Sequence, residues 1–133
     1  MQIEIFALCQ SAKFDGTNLN ISGIFDTIGA KTFPARIPGS VLAKIRFELG
    51  EEGERKLEIV LVNAYMRPVA IDGKIVKFEQ NIQIKIPNYR SSSHFHIWDH
   101  QGFPLEKAGD YFFELNVDGQ TKGRIPFYIW QSS

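Results

Sequence analysis

Residues 111 to 129 read Tyr111-Phe112-Phe113-Glu114-Leu115-Asn116-Val117-Asp118-Gly119-Gln120-Thr121-Lys122-Gly123-Arg124-Ile125-Pro126-Phe127-Tyr128-Ile129. From Tyr111 to Val117 every second side chain is large and apolar, the period of a strand that turns one face to a core. Asp118-Gly119 follows, a dipeptide that tolerates the positive φ of a tight β-turn. Beyond it Ile125, Phe127 and Ile129 resume the alternation. With a two-residue loop the runs fold back as an antiparallel hairpin, with Tyr111, Phe113, Leu115 and Val117 on the same face as Ile125, Phe127 and Ile129.

The same period recurs along the chain. Leu19, Ile21, Gly23 and Phe25 share one face against Asn18, Asn20 and Ser22, and Val41, Ala43, Ile45, Phe47 and Leu49 oppose Lys44, Arg46 and Glu48. Further strands are predicted at 3–9, 57–62, 78–86, 94–98, 111–117 and 122–129. Asp15-Gly16 and Asp72-Gly73 repeat the turn dipeptide, Gly50-Glu51-Glu52-Gly53 makes a longer turn, and Pro68 marks a break after Tyr65-Met66-Arg67. The segment from Asp26 to Gly39, with Pro34 and Pro38, carries no clear pattern and is expected to cross between sheets. No window of three turns holds a helical apolar stripe free of Gly, Pro or β-branched residues. The predicted fold is all-β: one domain over 1–133, a two-layer antiparallel sandwich of Ig-like, Greek-key type with about eight or nine strands.

Leu105-Glu106-Lys107-Ala108-Gly109-Asp110-Tyr111 places a leucine six residues before a tyrosine that opens an apolar strand. This is the pattern of a tyrosine corner, in which the phenol bonds backbone upstream and the ring caps the core. Leu105, Tyr111, Asp118 and Gly119 are therefore assigned structural roles.

Composition fits this picture. Apolar residues form 44% of the 133-residue chain, and 15 basic side chains cancel 15 acidic ones. No basic face favours nucleic acid, since Lys85, Arg90, Lys122 and Arg124 sit among acids. The opening carries no basic leader, and no segment reaches the ~20 apolar residues of a membrane helix, so neither secretion nor a membrane partner is expected. The single Cys9 suits a reducing cytoplasm.

The opening Met1-Gln2-Ile3-Glu4-Ile5-Phe6-Ala7-Leu8-Cys9 and the later Leu19-Asn20-Ile21-Ser22-Gly23-Ile24-Phe25-Asp26-Thr27-Ile28 resemble a family of small bacterial proteins known only as a domain of unknown function. Lys107-Ala108-Gly109-Asp110-Tyr111 and Val117-Asp118-Gly119 extend the resemblance over most of the chain. It implies a standalone cytoplasmic β-sandwich. It implies no activity, cofactor or site residue.

Chemistry is densest in His94-Phe95-His96-Ile97-Trp98-Asp99-His100, which holds all 3 histidines. On an extended strand His94, His96 and Trp98 project to one side, and two such imidazoles can ligate Zn²⁺ if His100 or a neighbouring strand supplies a third donor. The competing expectation has Phe95 and Ile97 facing the core and the histidines in solvent. Trp98, with Tyr89 and with Tyr128 or Trp130, offers an aromatic platform for a protein or a sugar; alternatively the last two cover a strand between sheets. Cys9, at the end of an apolar strand, reads as a small buried hydrophobe. No G-x-S-x-G elbow, phosphate loop or dinucleotide fingerprint is present, and Glu51 with Glu52 lack the burial a catalytic pair needs. The expectation is a non-enzymatic binding or assembly module acting through a sheet face or edge. It needs no cofactor, and its partner is another protein or a second copy; metal binding by His94 and His96, or sugar binding by exposed aromatics, is the alternative.

Overall fold

A computed structural model describes residues 1–87, 90–100 and 102–132. Its strands, in chain order, are β1 (Gln2–Phe14), β2 (Leu19–Ile24), β3 (Thr27–Ala30), β4 (Ala35–Arg36), β5 (Ser40–Phe47), β6 (Gly53–Asn63), β7 (Ala70–Ile71), β8 (Lys74–Ile75), β9 (Lys77–Ile84), β10 (Ser92–Trp98), β11 (Pro104–Leu105), β12 (Gly109–Val117) and β13 (Gln120–Gln131). Two sheets carry the fold: a four-stranded sheet in the order β10-β5-β1-β2 and a five-stranded sheet in the order β3-β13-β12-β6-β9. The nine strands of these two layers match the predicted sandwich; β4 with β11 and β7 with β8 form short ribbons beside them. No helix among the described residues is long and apolar enough to cross a membrane.

The hairpin of β12 and β13 is the centre of the larger sheet. Asp118 (φ 51°) and Gly119 (φ 79°) form its two-residue turn, the mirror-image turn whose twist suits a hairpin. The Asp118 carboxylate accepts from the Lys56 amide at 2.9 Å and from the Arg55 guanidinium at 3.0 Å, tying the turn to β6. Tyr111, Phe113, Leu115 and Val117 are buried as the alternation requires, with Phe127 and Ile129 opposite them. The tyrosine corner is formed: the Tyr111 hydroxyl donates to the Lys107 carbonyl at 2.7 Å, and Leu105 is buried.

In the smaller sheet Val41, Ala43, Ile45 and Phe47 of β5 fill the space between the layers. The strand ends there, so Leu49, expected on this buried face, instead sits in the following turn and is 59% exposed. Leu42 points the opposite way yet is also completely buried. Its cover is the β1–β2 hairpin. Phe95 and Ile5 both lie in the row of Lys44, and Phe14 follows Ile5 by nine positions. A straight strand would hold Phe14 about 30 Å from that row. The Phe14 and Phe95 rings nevertheless lie 5.0 Å apart. The hairpin therefore curls back over the outer face, and Cys9, Ala12 and Leu42 form a second small core with Leu19, Ile21, Phe95 and Ile97 packed against it.

The segment expected as an unpatterned crossing does more than cross. It contributes β3, which pairs parallel to β13 as Thr27↔Tyr128 through Ala30↔Gln131, and β4, which pairs with β11. These pairings are made by distant residues, so no local alternation announces them. The segment then returns to the smaller sheet at Gly39 (φ +92°), where a Cβ would stand 2.1 Å from the Cys9 carbonyl oxygen.

Gly39→Ala is expected to cost at least ~3 kcal/mol, because backbone contact and φ both exclude a side chain. Gly16→Ala, at φ +95° but with open space around it, should cost about 1 kcal/mol. Urea unfolding of the two variants checks the difference; equal costs would mean that the approach to Cys9 relaxes freely.

Candidate binding surfaces

The histidine strand pairs with β5 as His94↔Ile45, Phe95↔Lys44, His96↔Ala43, Ile97↔Leu42 and Trp98↔Val41. Directly opposed residues share a face. His94, His96 and Trp98 thus point between the sheets, while Phe95 and Ile97 point outward under the β1–β2 hairpin. This reverses the expected facing. The outer face has an apolar patch around Leu42, against which Phe95 and Ile97 are half-buried, and the inner position goes to Trp98, whose larger surface gains more from burial.

Trp98 is accordingly part of a core cluster rather than a platform. Its ring lies 5.8 Å from Phe103, 5.9 Å from Phe113 and 5.7 Å from His100. Trp130 is 43% and Tyr128 44% exposed. Both are on β13, on the face of the larger sheet directed away from the core, so Trp98 and Trp130 do not share a surface. Tyr89 lies outside the described residues.

The three histidines have different surroundings. His94 sits edge-on to Phe47 with Nε2 3.3 Å from the Ser92 hydroxyl. His96 Nδ1 is 3.0 Å from the Gln80 amide oxygen, a link between β10 and β9 across the layers, while its Nε2 is buried without a partner among the described residues. His100 is 6% exposed, enclosed by Trp98, Phe103 and Phe113, with neither ring nitrogen in a hydrogen bond of ordinary geometry among the described residues. Among the described residues no three His, Cys, Asp or Glu side chains converge as a metal ion would require. Burial pushes the pKa of both His96 and His100 down; the neighbouring His94 adds to the effect at His96, and Asp99 opposes it at His100.

A cleft of about 720 Å³ opens at the tyrosine-corner end of the sandwich. One wall is the loop 104–111 that carries the corner; the other is the turn after β6 together with β7. That turn is held by Asn63, whose Oδ1 accepts from the amides of Tyr65 at 2.9 Å and Arg67 at 3.1 Å. It presents Tyr65 to solvent at 83% exposure. Val69, Ile71 and Leu105 supply apolar lining, and Asp72, Glu106, Lys107 and Asp110 supply charge. The sequence marks each of these segments as a turn or corner. That they meet at one end follows only from strand order, which alternation does not encode.

A model of a family of unknown function, DUF6941, matches residues 4–130. The chain belongs to that family. The match spans both sheets and every residue singled out above except those beyond its ends. No curated protein matches the chain.

The depressed histidines give stability a pH dependence of definite sign. The unfolded chain takes up protons near the ordinary histidine pKa of about 6.5 while the folded chain resists them, so stability is full above that value and falls as pH drops through it. The carboxylates whose pKa is lowered, Glu4 to about 2 by Lys44 and Arg46 among them, lose their contribution only below the ordinary carboxylate range, which separates the two windows. Melting temperature should fall between pH 7.5 and 5.5, and the fall should flatten in His96→Gln combined with His100→Leu. An identical slope in that variant would show that neither imidazole is responsible.

Proposed function

We propose that this protein is a non-enzymatic binding or assembly module of the bacterial cytoplasm that pairs with a second copy of itself along the open edge of β10. The carrying observation is a contrast among the four outermost strands. β9 is studded with Lys77, Glu79, Gln80, Asn81 and Gln83, and β3 has only 4 residues. β2 is bent over the smaller sheet with the β1–β2 hairpin. β10 runs for 7 residues, Ser92 to Trp98, without a formally charged side chain, a proline or a break in register. Charges, prolines, bulges and shortness are how proteins guard a free edge, and β10 has none of them.

Strand-to-strand pairing of two β10 edges about a two-fold axis is self-complementary and closes on itself. It supplies ladder hydrogen bonds to a row of backbone groups that has no strand beside it among the described residues. Equal numbers of acidic and basic residues, 15 of each, leave no net charge to keep the copies apart. The one thiol is not set up as a nucleophile: Cys9 is buried, its Sγ faces the Ser40 carbonyl at 3.6 Å, and burial pushes its pKa up. An activated nucleophile shows the opposite shift. A buried, unpaired cysteine is also at home in a reducing compartment.

Sedimentation velocity tests this directly. The wild-type chain should shift from monomer to dimer with rising concentration. Ser93→Lys, which places a charge on the exposed side of β10, should remain monomeric with stability changed by no more than ~0.5 kcal/mol. A wild-type monomer at every concentration, or a dimer that Ser93→Lys leaves intact, ends the proposal.

A further inference from the structure

We infer that the cleft beside the tyrosine corner receives an extended peptide segment of another protein, one in which a lysine or arginine is flanked by apolar side chains. Three observations converge on that occupant. The first is an open strand edge inside the cleft. β7 pairs with β8 on one side, Ala70 with Ile75 and Ile71 with Lys74, and has no strand on its other side among the described residues. Ala70 and Ile71 line the cleft, whereas Lys74 and Ile75 do not. An unpaired edge beside a groove recognises backbone, and so selects a peptide over a compact metabolite.

The second observation is the lining. Val69 and Ile71 offer apolar surface backed by the buried Leu105, and Pro34, Pro68 and Pro104 add rigid surface that presents no amide donor. A cleft of about 720 Å³ is within the range of roughly 300–1,000 Å³ that holds a ligand, and here it accommodates a few side chains of an extended strand.

Charge is the third. Asp72, Glu106 and Asp110 face the cleft with Lys107 as the single cation, and none of the four takes part in an ion pair among the described residues. Three carboxylates against one ammonium leave a negative rim around an apolar floor. The complement is a cationic head on an apolar stem, as lysine and arginine carry. Tyr65, exposed at the lip on its rigid turn, adds a ring face that attracts the same cation.

The test uses the full-length protein and a fluorescein-labelled heptapeptide of alternating valine and lysine, followed by fluorescence anisotropy and amide chemical-shift mapping. Saturable binding is expected, with shifts concentrated at Ala70, Ile71 and residues 105–110. The triple variant Asp72→Asn, Glu106→Gln, Asp110→Asn should weaken it about tenfold, since each exposed rim charge contributes modestly. A valine–glutamate heptapeptide should not bind, and backbone N-methylation of the lysine peptide should abolish binding. Ser93→Lys should bind as wild type does, which keeps this site separate from the β10 edge. Equal binding of the two peptides, undiminished binding by the triple variant, retention by the N-methylated peptide, or shifts confined to other surfaces overturns the inference.

Discussion

The constraint on which this structure turns is that β5 buries an apolar side chain on its outer face as well as the row on its inner face, although Lys44 and Arg46 beside Leu42 are ion-paired to Glu4. Its inner face supplies Val41, Ala43, Ile45 and Phe47 to the space between the sheets, and its outer face presents Leu42, which is also completely buried. Two layers cover only one side of each sheet. Leu42 therefore needs its own cover, and the curled β1–β2 hairpin provides it. The facing of β10 follows: with the small core of Cys9, Ala12 and Leu42 on the outer side, Phe95 and Ile97 can go out and Trp98 can go in. Gly39 completes the arrangement, since the chain must re-enter β5 in contact with the Cys9 backbone.

Packing between the sheets concentrates on one aromatic group. Phe113 on β12 touches Phe127, Phe103 and Trp98 and lies almost parallel to the His100 ring at 6.3 Å. It joins the central hairpin, the end of β10 and the loop before β11. Truncating such a ring to alanine typically costs 3–5 kcal/mol. A buried imidazole within the group is an unusual choice, because an aliphatic side chain would fill the space without burying two polar ring nitrogens.

The hairpin of β12 and β13 was legible from residues alone because its turn, alternation and corner are all local signals. Tyr111, Leu105, Asp118 and Gly119 hold the structural roles that their spacing implies. The histidine strand was misread for a definite reason. Alternation reveals which residues share a face but not which face is inside, and His94-Phe95-His96-Ile97-Trp98 has a large apolar group on each side. Only the pairing with β5 decides it. The short strands β3, β4, β7 and β8 escaped detection because two to four residues are too few to show a period. The cleft escaped because its walls come from positions 63–72 and 104–111, which nothing in the sequence places together.

The parallel pairing of β3 with β13 carries a consequence for how the molecule comes into being. Thr27 meets Tyr128, a contact spanning about a hundred positions, and such pairings slow folding because the intervening chain must be ordered first. On the ribosome every strand of the smaller sheet has been made once Trp98 emerges, while β12 and β13 of its facing layer are still to come. For that interval Val41, Ile45 and Phe47 have no complete opposing layer. The nascent chain thus passes through a stage at which a chaperone's apolar surface can stand in for the missing half of the sandwich.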